Sequence, residues 1–151
     1  RKASLYHHFP AGKDEIILEI ADRSTTEGAL CFTRALESSN GIRAQLTSIA
    51  REIIGKRQQD FAVLRDATRF MANEHQTHIY QQFYNGQFKP LHRAIKQAVA
   101  RGELRKHDTE RSTWAFLSLL SELRLREGER SEKLAEFIVA PMLSGLEGDK
   151  K

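Results

Sequence analysis

The closest approach to a metal site in this sequence is Glu74-His75-Gln76-Thr77-His78, which puts two imidazoles about one helical turn apart. Two or three ligands without a fourth do not make a structural zinc centre, so no metal is expected. His7 and His8 are adjacent and point apart on a helix. Gly12-Lys13 lacks both the upstream glycine and the following Ser or Thr of a phosphate loop. Cys31 falls within a long apolar stripe and reads as core. As the single cysteine it excludes an internal disulfide and fits a reducing, cytoplasmic compartment. No Ser/His/Asp or paired-carboxylate arrangement can be assembled from sequence spacing. The expectation is a protein that is not an enzyme and carries no cofactor.

What remains is binding. Polar groups interrupt apolar stripes at a few places. Thr68 and His75 share a helical face with Phe61, Leu64 and Met71, and Arg65 lies one turn from Phe61. Tyr80, Phe83, Tyr84, Phe88, His92 and Trp114 could supply aromatic walls. A cavity with such walls and a few convergent polar groups is a usual small-molecule site. The candidate lining set is Phe61, Arg65, Thr68, Met71, His75, Phe83, Phe88, His92 and Trp114. The plainer alternatives are a Thr bonded to its own helix and a stripe of aromatics that is only core. Lys89, Arg93, Lys96, Arg101, Arg105 and Lys106 stand against the lone acid Glu103. They either draw an anionic effector, such as a carboxylate or acyl thioester, or form a solvated face. The effector is therefore read as hydrophobic or anionic.

Helices must position these groups. The 151 residues are 40% hydrophobic and 29% charged with a net charge of +4, a composition that folds. No apolar run is long enough to span a membrane, and strand alternation is almost absent. Acids at Asp14 and Glu15 open a helix predicted to reach about Glu37, and Ser38-Ser39-Asn40-Gly41 is a turn. Ile42, Leu46, Ile49 and Ile53 mark a second helix, and Phe61 through His75 a third. Between Thr77 and Arg101 the pattern is ambiguous. Asn85-Gly86 suggests a turn, and Pro90 begins or kinks a helix whose stripe is Leu91, Ala94, Ile95 and Ala98. Gly102 suits a helix C-terminus. Asp108 or Thr109 caps a helix predicted to end near Gly128, Ser131 caps the last, and Pro141 bends or stops it. The fold class is an all-α bundle.

The last two helices are apolar on every side, which calls for cover from two directions. A homodimer built on residues 109–146 follows, with Trp114, Leu117, Leu120, Leu123, Leu134, Phe137, Ile138 and Met142 at its interface. A central buried helix in a monomer is the alternative.

Ser4-Leu5-Tyr6-His7-His8-Phe9, followed closely by Lys13-Asp14-Glu15 and an apolar helix, resembles the TetR family of transcriptional regulators. The matching stretch there ends the recognition helix of a helix-turn-helix. Ala98-Val99-Ala100-Arg101-Gly102-Glu103-Leu104-Arg105 resembles the turn between that family's seventh and eighth helices. The resemblance implies that residues 1–12 end an incomplete DNA-binding domain whose first two helices precede Arg1. Residues 13–151 would then form the helical ligand-binding and dimerisation domain. It implies a regulator, taken as a repressor, that binds operator DNA when its helix-turn-helix is complete and releases it on binding a small-molecule effector. On such a helix Leu5 and Phe9 pack inward, while Tyr6 and His7 face the groove. Ser4, Tyr6, His7 and Lys13 are the candidate DNA-binding residues, with Tyr6 and Lys13 suited to phosphate. Lys13 opposes the dipole of the helix it begins unless an anion sits there. The competing reading is a helical protein–protein interaction module without DNA or ligand.

Overall fold

The computed structural model describes residues 9, 12–57, 69, 71–123 and 128–146, with backbone only at 56 and 57. Helix α1 runs Lys13–Ser38, α2 Ile42–Arg57, α3 Asn73–Phe83, α4 Lys89–Ala100, α5 Thr109–Glu122 and α6 Ser131–Ser144; a single turn of π-helix, Tyr84–Phe88, joins α3 to α4. The expected all-α bundle is what the chain forms. Ser4, Tyr6, His7, Phe61, Arg65 and Thr68 lie outside the described residues.

α1 begins after Gly12, whose φ of 80° suits a residue without a Cβ, and carries Asp14 and Glu15 in its first turn, where they complement the dipole's positive end. Its buried stripe of Ala21, Gly28, Cys31, Phe32 and Ala35 recurs at helical spacing. The helix stops where Ser39 turns extended, and Gly41 at φ 83° reverses the chain into α2. α2 buries Ile42, Leu46, Ile49, Ala50, Ile53 and Ile54, chiefly against α6 and α1. α4 buries Leu91, Ala94, Ile95 and Ala98, the stripe read from the sequence. Phe32, Phe88 and Phe116 are almost wholly enclosed, each contributing about 2–3 kcal/mol of apolar burial.

Several boundaries differ from the sequence reading. The stretch from Phe61 to His75 is not one unbroken helix, because Met71 lies in a bend and Ala72 is extended at ψ 145° before α3 starts. Asn85-Gly86 is not a turn. It sits within the π segment, so the backbone passes from α3 to α4 without reversing. α5 ends at Glu122, short of Gly128, because Leu123 is already extended. Asp108 caps α5 by accepting from the Arg111 N–H at 3.0 Å. Ser131 is the first residue of α6 and not its cap, which is Arg130. Pro141 neither stops α6 nor is buried; the helix continues to Ser144 with the proline on its exposed side, where water can replace the missing donor.

The segment Ala98–Arg105 clamps one end of the bundle. Gly102, at φ 77°, donates to the Val99 carbonyl at 3.1 Å while the Glu103 N–H reaches Ala98 at 2.9 Å, a Schellman closure of α4. Leu104 is buried in the core. The Arg105 N–H donates to the Leu146 carbonyl at 2.8 Å, tying the turn to the end of α6. Glu103 accepts from the Ile42 N–H at 2.7 Å and so caps α2 from 61 residues away; Arg101 donates to its other oxygen. Partial burial raises the Glu103 pKa, but the Ile42 and Arg101 hydrogen bonds and the Arg101 charge outweigh it and hold the carboxyl below its ordinary value of 4.5. A depressed folded pKa means the stabilisation is present above the unfolded value and is lost as pH falls through the folded one. Glu103→Ala should therefore lower unfolding stability at neutral pH by about 1–2 kcal/mol. Urea titrations across pH should show that deficit shrinking below pH 4.5; a deficit unchanged by acid would mean the charge plays no part.

Candidate effector pocket and aromatic ladder

The π segment has the geometry of an inserted residue. It lets Tyr80, Tyr84, Phe88 and His92 form one ladder along α3 and α4. Ring centroids lie 6.0 Å apart for Tyr80–Tyr84, 4.9 Å for Tyr84–Phe88 and 5.6 Å for Phe88–His92. Trp114 of α5 meets this ladder, with its ring 4.5 Å from Phe88 and 6.2 Å from Phe83. Single π turns inside helices recur at functional sites, and here the turn carries Gln87, a polar side chain only 2% exposed.

Gln87 lines a cavity of about 140 Å³ whose other walls are Phe32, Ile53, Phe83, Trp114, Leu117, Leu120, Ser118 and Ser121. No ionisable side chain lines it among the described residues. Ser121 donates its hydroxyl to the Ser118 carbonyl at 2.9 Å. The Gln87 Nε2, by contrast, is buried without a hydrogen-bond partner among the described residues. Its carboxamide lies over bare backbone, since a Cβ at Gly28 would stand 2.6 Å from that nitrogen. One residue earlier the packing is as close, because a Cβ at Gly86 would stand 2.6 Å from the Ala29 methyl. α1 and the π turn thus touch through Gly28, Ala29 and Gly86, and this approach sets Gln87 against the cavity.

Of the residues expected to line a pocket, Phe83 and Trp114 do so. Phe88 is core, one layer behind Trp114. His92 lies within 3.0 Å of the Thr109 hydroxyl, joining α4 to α5. Met71 is buried and His75 half-buried, neither on the cavity wall. The break at Ala72 takes Met71 off the helix that carries His75, so the two do not share one helical face. His75 does hold a buried Nδ1 with no partner among the described residues. Phe32, Ile53 and Gln87 were missed. Ile53 belongs to the apolar stripe of α2, and Phe32 carries no signal in the sequence beyond its own apolar character. For Gln87 the available signal was an amide between Gly86 and Phe88 in an apolar neighbourhood.

The other candidates fall elsewhere. His78 faces Asp22 of α1 at 3.0 Å and Gln82, which in turn meets the Thr25 hydroxyl at 2.6 Å; this polar network fastens α3 to the first half of α1. No group of three or more potential metal ligands converges among the described residues. Lys89, Arg93, Lys96, Arg101, Arg105 and Lys106 are exposed and none reaches the cavity, so they behave as a solvated face. Lys13 is exposed at the first position of α1.

The interface set needs revision. Leu117, Leu120, Leu134 and Ile138 are buried in the chain's own core and have little surface left for a second copy. Trp114, Leu123 and Met142 are half-buried. Phe137 points outward at 65% exposure and Leu119 at 38%.

No family model and no curated protein matches the chain. Solved structures do. Over its full length the chain superposes on PfmR, a TetR family transcriptional regulator from Thermus thermophilus, with a TM-score of 0.79, 20% identity and 84% of that protein covered. A tetR-family regulatory protein from Rhodococcus matches 97% of the chain at a TM-score of 0.81 and 17% identity, with 80% of its own length covered. AibR, solved with isovaleryl coenzyme A and operator DNA, matches 93% at 0.72 and 18% identity, with 79% covered. At such identities the likeness is one of fold: the chain has the fold of TetR-family regulators.

Gly86→Ala should cost about 1–3 kcal/mol of stability in a denaturant titration, because the clash is with the methyl of Ala29, which is fixed to its backbone and cannot swing away. An unchanged midpoint would show that the two helices separate freely.

Proposed function

We propose that the chain is the effector-sensing and dimerising part of a DNA-binding transcriptional regulator, a repressor in its simplest form. The observation that carries this is the conjunction of a TetR-regulator fold along the chain with an apolar, uncharged cavity walled by α1, α2, α3, α5 and the π turn. Residues 1–12 would end the DNA-reading helix, with Ser4, Tyr6 and His7 toward the groove and Lys13 toward a phosphate. Residues 13–151 would form the sensor. The neighbour AibR, captured with a coenzyme A ester and operator DNA, supports a sensor of this architecture.

The mechanism is a population shift. An effector that fits the cavity in one setting of α1 favours that setting, and DNA affinity falls only as far as the effector distinguishes the two. The outward residues of α5 and α6, above all Phe137 and Leu119, form the dimer face in this reading. An aromatic ring so exposed on α6, with an exposed leucine on the helix before it, supports cover by another copy.

Two measurements test the proposal. Full-length protein should retard DNA from its own promoter region in a gel shift, and a cognate small molecule should weaken binding by about 5–150-fold, the usual range of such coupling. Protein that leaves this DNA unshifted at micromolar concentration would refute the DNA role. Phe137→Glu should convert a dimer to a monomer in light scattering without loss of helical signal. A wild type that is itself monomeric, or a variant that stays dimeric, would remove Phe137 from the interface.

A further inference from the structure

Resting on that effector-pocket reading, we infer that the cavity selects a small uncharged molecule bearing one hydrogen-bond acceptor, such as a ketone or ester oxygen, and that Gln87 recognises it. Size comes first. The cavity of about 140 Å³ opens to solvent beside the exposed Ser118, so the part of the ligand it encloses is a short chain or single ring. Charge comes second. No described lining residue carries a charge to pair with a carboxylate, and an ion buried without a partner is strongly disfavoured. The cations of residues 89–106 lie outside, on the solvated side of α4 and its closing turn.

Polarity decides the rest. Among the described lining residues, Gln87 alone has a buried side-chain atom without a hydrogen-bond partner, and that atom is its amide nitrogen, a donor. An unsatisfied buried donor is costly, and an acceptor arriving in the cavity removes that cost. Nε2 itself lies over Gly28 and not on the cavity wall, so the carboxamide turns to present it, and the ligand that gains most is one whose carbonyl then meets Nε2 while its hydrocarbon part rests on Phe32, Phe83 and Trp114. Gly28 leaves room for the carboxamide, since any side chain there would push it away.

Trp114 is the only tryptophan of the chain and lines the cavity, so its emission reports occupancy. The full chain would be titrated with cyclohexanone, methylcyclohexane and cyclopentanecarboxylate, in wild type and in Gln87→Met, with circular dichroism to establish that the variant is folded. Cyclohexanone should bind the wild type and lose about tenfold in affinity in Gln87→Met, the worth of one hydrogen bond. Methylcyclohexane should gain affinity in the variant, and the carboxylate should bind more weakly than the ketone throughout. Gly28→Ala, which displaces the amide without removing it, should shift selectivity the same way and serves if Gln87→Met does not fold. Ketone affinity indifferent to these substitutions, equal losses for ketone and hydrocarbon, or a carboxylate that binds best would each overturn the role of Gln87 while leaving the pocket intact. If none of the probes alters wild-type Trp114 emission, the pocket reading itself falls.

Discussion

The close approach of α1 to the π turn is the constraint on which the site depends. Neither Gly28 nor Gly86 tolerates a side chain without something moving, and Ala29 already fills the space facing Gly86. Interiors are packed too densely for such a contact to be loosened without consequence. Because Gly28 and Gly86 each leave room for a side chain of the facing segment, Gln87 is buried where a residue of its polarity would otherwise be excluded, and the aromatic ladder is brought to bear on Trp114. The cavity is the space left between Phe83 and Gln87 on one side and side chains of α1, α2 and α5 on the other.

Much of the scaffold could be read from residue spacing, and the reasons are physical. Leu91, Ala94, Ile95 and Ala98 are buried as read because a one-sided stripe next to solvent permits a single orientation. Gly102 and Asp108 end and begin helices because a left-handed residue and a short acceptor are chemically suited to those positions. The π turn was not legible, since a wider turn of helix leaves no mark on composition, and Asn-Gly suggests a reversal far more often. Apolar composition in α5 and α6 was likewise ambiguous. Leu134 and Phe137 look alike in sequence, yet one is core and the other lies largely in solvent. Phe83 and Trp114 stand out among the aromatics of their region, whereas Phe32, on a helix read chiefly through small and aliphatic residues, does not.

The motif around Arg101–Leu104, singled out for its resemblance to a family turn, has a structural explanation of its own. It closes α4, caps α2, seats Leu104 in the core and meets the last turn of α6. The basic residues nearby are turned to water, apart from Arg101, which pairs with Glu103. Charge in this part of the chain holds the bundle's end together, while the cavity is left without any described charge.

α1 is 26 residues long, or about 39 Å at 1.5 Å per residue. Its C-terminal end abuts the cap that Glu103 provides to the next helix, and Gly28 lies ten residues from that end. A stiff rod pivoting there works as a lever with its load on the long arm. A rigid pivot at that end would carry a push at Gly28 to Lys13 enlarged roughly two and a half times, and α3, tied to the far half of the rod through Asp22 and Thr25, would have to travel with it.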